Sequence, residues 1–303
     1  MTPDNRRAAV SFRFAMPSAA LSPFITTYYR TDVVTSDGEP WLEDYLHPEW
    51  PNLRFIQPGM GESAVGGADL QPTASFSVTG PTCSATRFRT RAGRCWGIGL
   101  MPLGWASVFK AQASDYADRI VDGGSDPAFA AIQPLAKALA ETNGGFGEEL
   151  AIIEAHMAQI EWRTSRQADA IARLNAALVD PEIATVADLA ERVDMNIRSL
   201  ERLAKRAFGF SPKLLMRRQR FLRSLAQFML DPSLTWLSTL DYQYHDQAHF
   251  VRDFKRFMGM APSAYSKLEK PLLVAAAQAR MATAGQAMQV LHDPAADGAK
   301  AAG

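Results

Sequence analysis

The sequence predicts an α+β chain: a β-rich N-terminal domain, barrel or sandwich, then a helical segment, then an all-α domain of two helix-turn-helix units. Three observations carry this. Through about residue 110, short apolar stretches alternate with Gly, Pro, Ser and Thr clusters. Over 127–180 the composition shifts to Ala, Leu, Ile, Glu and Gln, with apolar residues at helical spacing. Finally, positions 196–215 recur at 246–265 without an insertion: Arg202, Lys205, Arg206, Gly209 and Pro212 match Arg252, Lys255, Arg256, Gly259 and Pro262.

In chain order, strands are expected at Phe24–Tyr29, Leu53–Ile56, Phe76–Val78 and Trp96–Met101, within a domain over 1–125. A helical linker follows over 126–180, where Leu150, Ile153, Met157 and Ile160 form one stripe and 142–147 turns between two helices. The last domain spans 181–268. Thr185 with Asp188 approximates a capping box for a helix through Arg192. After a turn at 193–196, Asn196 caps a basic helix, Ile197–Ala207. Ser211–Pro212 starts a long helix to about Leu230, stopped by Asp231–Pro232. Thr235 caps a short helix, Asp246 caps a second basic helix to about Met258, and Pro262 opens a last short helix holding Tyr265. The tail, 269–303, reads as helical and then disordered.

Composition narrows the function classes. The chain has 303 residues, 47% hydrophobic and 21% charged, as in ordinary globular proteins. Its start has no apolar signal segment, and no window approaches the roughly 18 apolar residues of a membrane span. A cytoplasmic protein with no membrane partner is expected. Cys83 and Cys95 are too few for a four-thiolate zinc site and read as reduced, structural thiols. The net charge of zero conceals an asymmetry: residues 180–270 hold 15 Lys/Arg against 11 Asp/Glu. Between Arg198 and Arg223 nine residues are basic and one, Glu201, is acidic. The local field, rather than the whole-chain sum, attracts phosphate.

The basic helices are amphipathic. In the first, Leu200, Leu203, Ala204 and Ala207 share one face, while Arg198, Glu201, Arg202, Lys205 and Arg206 point away. In the second, Phe250, Phe254 and Phe257 make the buried stripe, with His249, Arg252, Asp253 and Arg256 expected opposite. A helix of this kind fits a major groove, where arginine grips guanine and Gln247 suits adenine. Lys205, Arg206, Lys255 and Arg256, with Arg217, Arg218, Arg220 and Arg223 on the connecting helix, are expected to hold phosphates. Double-stranded DNA is the partner this implies. One basic helix alone would ordinarily be a solvated face; two in one register argue otherwise.

Here the sequence resembles the AraC/XylS-type transcription regulators, over about 180–268. The resemblance is strongest in His245-Asp246-Gln247-Ala248-His249-Phe250-Val251-Arg252-Asp253-Phe254-Lys255-Arg256-Phe257-Met258-Gly259-Met260-Ala261-Pro262-Ser263-Ala264-Tyr265. The first unit, Asp188-Leu189-Ala190 through Met195-Asn196-Ile197-Arg198-Ser199-Leu200-Glu201-Arg202, is similar too. It implies base-reading positions at Arg198, Glu201, Arg202, Gln247, Ala248, His249 and Arg252. It implies no catalytic residue, cofactor or metal, and it leaves RNA polymerase, a small-molecule effector and a second copy of the chain open as partners. Ala204 departs from the usual Phe, calling for compensation by Phe208 or Phe221. Gln243 replaces the Gly that usually makes the second turn. More loosely, Gly80-Pro81-Thr82 and Gly97-Ile98-Gly99-Leu100-Met101-Pro102-Leu103-Gly104-Trp105 resemble the strand-rich, cupin-like sensor half of such regulators.

Enzymatic readings compete weakly. His245 and His249 are spaced i, i+4, but Asp246 replaces the zinc-helix Glu and reads as a cap. Gly61-Glu62-Ser63-Ala64-Val65 lacks the closing Gly of a nucleophile elbow. His47, Glu49 and His156 are scattered. Two cysteines cannot build the metal cluster of an alkyl-repair protein. A cupin enzyme delivered to DNA by the helix-turn-helix half is the remaining alternative, and its strand-rich region offers one His, His47.

Overall fold

The computed structural model describes residues 9–35, 41–163, 167–230 and 239–292. Within them the strand-rich half runs β1 (Ala9–Ala15), β2 (Ile25–Val34), β3 (Leu42–Leu46), β4 (Asn52–Ile56), β5 (Gly61–Val65), β6 (Gln71–Pro72), β7 (Phe76–Thr79), β8 (Thr86–Thr90) and β9 (Gly93–Leu100), then helix α1 (Pro102–Val108) and β10 (Ile120–Asp122). Two antiparallel sheets form, ordered β1-β2-β9-β4-β7-β10 and β3-β8-β5-β6. The four stretches read as strands from apolar content lie on β2, β4, β7 and β9. Gly61–Val65, weighed as a nucleophile turn, is strand β5.

Alternation decides which face each strand buries. On β9, Trp96, Ile98 and Leu100 enter an apolar cluster with Leu53, Trp105, Phe129, Ile153 and Met157. The opposite face carries Cys95 and Gly99 into a cavity between the sheets. Gly97 and Gly99 are required there by close approach. A Cβ on Gly97 would meet the Tyr29 ring at 2.0 Å, and one on Gly99 would meet Gln289 at 2.6 Å.

The segment expected as one helical linker divides between the two halves. Helices α2 (Gln133–Glu141) and α3 (Phe146–Gln159) supply Leu135, Leu139, Ile153 and Met157 to the sheet-side cluster. On α3 the fully buried Glu149 reaches back to Arg30 at 3.0 Å, Arg94 at 2.5 Å and the Trp96 indole at 2.5 Å. Helix α4 (Ala168–Val179) instead gives Ile171, Leu174 and Leu178 to the core of the last domain.

That domain continues through α5 (Val186–Arg192), α6 (Ile197–Phe208), α7 (Pro212–Leu230), α8 (Gln247–Met258) and α9 (Pro262–Tyr265). Its core is continuous with the β-rich half, since Trp50, Cys83 and Ala85 belong to the same cluster as Phe208, Phe221 and Phe254. Ala204 is fully buried in that cluster with Phe208 and Phe221, the two residues expected to compensate for its size. Both cysteines are free thiols, and burial pushes each up to about 12.

The tail is packed as far as residue 292. Helix α10 (Pro271–Ala284) lies against β1, β3 and α7, and Leu272, Leu273, Ala277 and Ala284 are buried. Its first turn is capped from the other half: Asp44 accepts from the amides of Leu272 and Leu273 at 2.9 Å each. The expected stop at Asp231–Pro232, the Thr235 cap with its short helix, and the tail beyond 292 lie outside the described residues. No helix among the described residues is long and apolar enough to cross a membrane.

Candidate nucleic-acid interface

Both basic helices are built by the local signals in the sequence. Thr185 and Asp188 exchange side-chain-to-backbone bonds across the first turn of α5, a full capping box. Asn196 accepts from Ser199 N at 2.9 Å at the start of α6; Asp246 accepts from His249 N at 2.6 Å at the start of α8. Gly209 and Gly259 end these helices in the left-handed region, at φ 85° and 72°, where a side chain would be strained. Pro212 and Pro262 then open α7 and α9.

The turns differ. In the first unit Asp194 takes φ 54°, the left-handed value. Gln243, standing where a Gly is usual, does not have positive φ. Its amide N–H donates to Asp241 Oδ1 at 3.0 Å, and its side-chain Nε2 donates to Pro181 O at 2.5 Å. The second turn is thus held by side-chain bonds rather than by a glycine.

Arg198, Glu201, Arg202, Lys205 and Arg206 are all exposed on α6. On α8, Gln247, Ala248, Arg252, Lys255 and Arg256 are exposed, and His249 is half-buried. Burial, and then the Arg220 charge, push His249 below its ordinary pKa.

Four of the expectations, those for Asp253, Arg217, Arg223 and Arg218, need correction. Asp253 is fully buried rather than opposite the phenylalanine stripe. It pairs with Arg217, accepts from Tyr244 Oη at 3.2 Å, and has Arg220 at 3.7 Å and His249 Nε2 at 3.9 Å. A buried carboxylate of this kind gathers cations because desolvation penalises it unpaired. Arg217 is therefore engaged inside the domain, as is Arg223, 2.5 Å from Asp241. Arg218, expected on phosphate, is fully buried: its Nη1 donates to Thr82 O at 2.8 Å and its guanidinium lies 3.9 Å from the Trp50 ring centroid. Burial lowers its pKa. Its place in the sequence, three after Leu215 and four before Leu222, is a core position of α7, and that spacing was the available signal.

Other contacts joining the halves carried no signal in the sequence. Ala85 N donates to Phe257 O at 2.7 Å, and His47 Nε2 and Tyr265 Oη share a hydrogen at 2.8 Å; within the C-terminal part, Gln219 donates to Val290 O at 2.7 Å. His156 bonds the Ala131 carbonyl at 3.0 Å, and Glu49 pairs with Arg54 at 2.6 Å. Among the described residues no group of three or more His, Cys, Asp or Glu is placed to hold a metal.

A cavity of about 240 Å³ lies between the sheets. Phe12, Val33, Met60 and Phe88 line one part of it, and Tyr29, Asn52 and Arg54 another. Its remaining wall comes from the C-terminal segment: Leu272, Arg280 and Gln289. Arg280 donates to Thr27 Oγ1 at 2.5 Å, and Gln289 accepts from Asn52 at 3.0 Å.

A family model described as a helix-turn-helix domain matches residues 189–268. No curated protein matches the chain. Among solved structures, ToxT from Vibrio cholerae is 10% identical, covers 86% of this chain and 98% of its own, and superposes with a TM-score of 0.44. Unsaturated fatty acid-bound ToxT from Vibrio cholerae strain SCE256 is 11% identical, with 88% and 97% coverage and a TM-score of 0.41. The AraC-like transcriptional activator CuxR is 11% identical, with 71% and 87% coverage and a TM-score of 0.30.

Proposed function

We propose that this DNA-binding transcription regulator, whose residues 189–268 form an AraC-type helix-turn-helix domain, reads an operator of two recognition segments with α6 and α8 and is switched by a small molecule held between its sheets. The observation that carries the first part is the matched pair of capped helices presenting Arg202 and Arg252 at equivalent exposed positions. Arg198, Glu201 and Arg202 face bases from α6, and Gln247, Ala248, His249 and Arg252 from α8. Lys205, Arg206, Lys255 and Arg256, later in each helix, hold phosphates. Two helices entering successive major grooves set the segments about 10 base pairs apart.

The cavity supports the second part, because the polypeptide that follows the DNA-binding domain forms one of its walls. A ligand there touches both halves at once and shifts their relative arrangement by its differential contacts. Catalysis forms no part of this reading. The protein works in the cytoplasm, with RNA polymerase as the machinery it addresses.

Selection of bound duplexes from a random pool, with the full chain at stated salt, tests the DNA reading. A convergent motif of two blocks is expected; a pool that stays random refutes it. On the selected site, Arg252→Ala is expected to relax specificity at one base pair, and Lys255→Ala to weaken every sequence alike. Uniform weakening by Arg252→Ala would make Arg252 a phosphate contact instead.

A further inference from the structure

The positive surface around α6 extends beyond the helix-turn-helix domain. Arg202 and Arg206 share a hollow of about 650 Å³ with Lys110, just after α1, and Arg163, just after α3. Phe109, Ile171 and Leu203 also line it, and no Asp or Glu does. All four cations are exposed. Among the described residues none of the four is paired with a carboxylate, whereas Arg192, Arg217 and Arg223 each are. Four exposed cations around one hollow raise the local positive potential, which favours an anionic partner.

We infer that Lys110 and Arg163 hold the phosphate backbone of the duplex that α6 enters, so that the β-rich half and its helices are themselves part of the DNA-binding surface. The inference rests on the DNA reading above and adds a partner surface to it. Geometry favours DNA over a free small anion. Arg202 and Arg206 are on the exposed flank of α6 and line the same hollow as Lys110 and Arg163, so a strand held by the first pair has the second pair in the same concavity. These contacts touch backbone only, so they add affinity without sequence preference. They also place the half that holds the cavity against the duplex, giving a ligand there a direct effect on phosphate grip.

The test measures affinity of the full chain for its selected duplex across a series of salt concentrations. Each phosphate neutralised adds about 0.9 to the slope of log affinity against log salt. The parent chain is compared with the Lys110→Gln, Arg163→Gln double variant, whose thermal unfolding should match the parent because both positions are exposed. The expected result is a slope shallower by about 1.8, with equal loss on selected and unrelated duplexes. A parent that binds and a variant with an unchanged slope overturn this inference alone. Inorganic pyrophosphate competing at micromolar concentration, with the slope unchanged, overturns it by assigning the hollow to a free anion. A parent that binds no duplex overturns the DNA reading itself.

Discussion

Asp44 and His47 are buried three residues apart where the tail meets the sheets. Burial pushes the Asp44 carboxyl up to about 6, against the amides of Leu273, Tyr45 and Leu272 and the Lys270 charge, which all favour the anion. Burial, then Lys270, pushes His47 down to about 3. Between 3.8 and about 6 the folded chain keeps a proton on Asp44 that the unfolded chain has released, so this contribution to stability falls as pH rises. Between about 3 and 6.5 the unfolded chain holds a proton on His47 that the folded chain lacks, so that contribution grows as pH rises. From about pH 4 to 6 the two slopes oppose each other. In Asp44→Asn only the His47 slope should remain, a gain of about 1.4 kcal/mol per pH unit over that window relative to the parent. Urea midpoints at pH 4, 5 and 6 read it; parallel profiles for parent and variant would refute the assignment. Arg218 gives a second prediction at this scale. Arg218→Met keeps the volume beneath Trp50, and its DNA affinity should show the parent's salt slope, as expected of a side chain that never meets solvent. A slope shallower by about 0.9 would restore it as a phosphate contact. The misreading of Arg218 has a plain cause: charge was weighed over spacing, although Leu215, Arg218 and Leu222 follow the helical period.

At the scale of elements, the caps and stops of α5, α6 and α8, and the proline starts of α7 and α9, were legible because they are local. A cap needs only its own side chain and the amide two or three residues on. The four strands β2, β4, β7 and β9 were legible for the same reason, as apolar runs between turn residues, whereas the less apolar strands such as β3, β5 and β8 were not. The order β1-β2-β9-β4-β7-β10 was not, because β2 pairs with a strand some 60 residues away and nothing local encodes that choice. The environment of Asp253 was hidden in the same way. Its neighbours in sequence suggested an outward face, while its partners Arg217 and Arg220 come from α7. Asp253→Asn should therefore destabilise the helix-turn-helix domain by about 3–5 kcal/mol, since it strips a buried negative charge from two cations. Denaturant unfolding checks it. A change below about 1 kcal/mol would mean that solvent already screens the pair.

For the whole molecule, the tail reinforces a joint that the halves also make directly, through Trp50, Cys83 and Ala85 against Phe208, Phe221 and Phe254. Its apolar content was visible in the sequence, but the surface it covers is made by β1, β3 and α7, distant in the chain. A chain ending at Lys270 loses the buried side chains of Leu272, Leu273, Met288 and Val290 along with the cavity wall. Its thermal midpoint should drop by roughly 10 °C, from the apolar burial forfeited. Calorimetry should also resolve two transitions in place of one. An unchanged midpoint would make the tail an ornament rather than a fastening.

The reading head is thus pinned along a whole line: α4 and α6 against α1, Arg218 on Thr82, Phe257 on Ala85 and Tyr265 on His47. A body held along such a line can tilt slightly, but it cannot swing away. Because α7 runs rigidly between α6 and α8, any tilt carries both reading helices together. Control by an occupant of the cavity should then alter how tightly an operator is gripped while leaving its letters and the gap between its blocks the same.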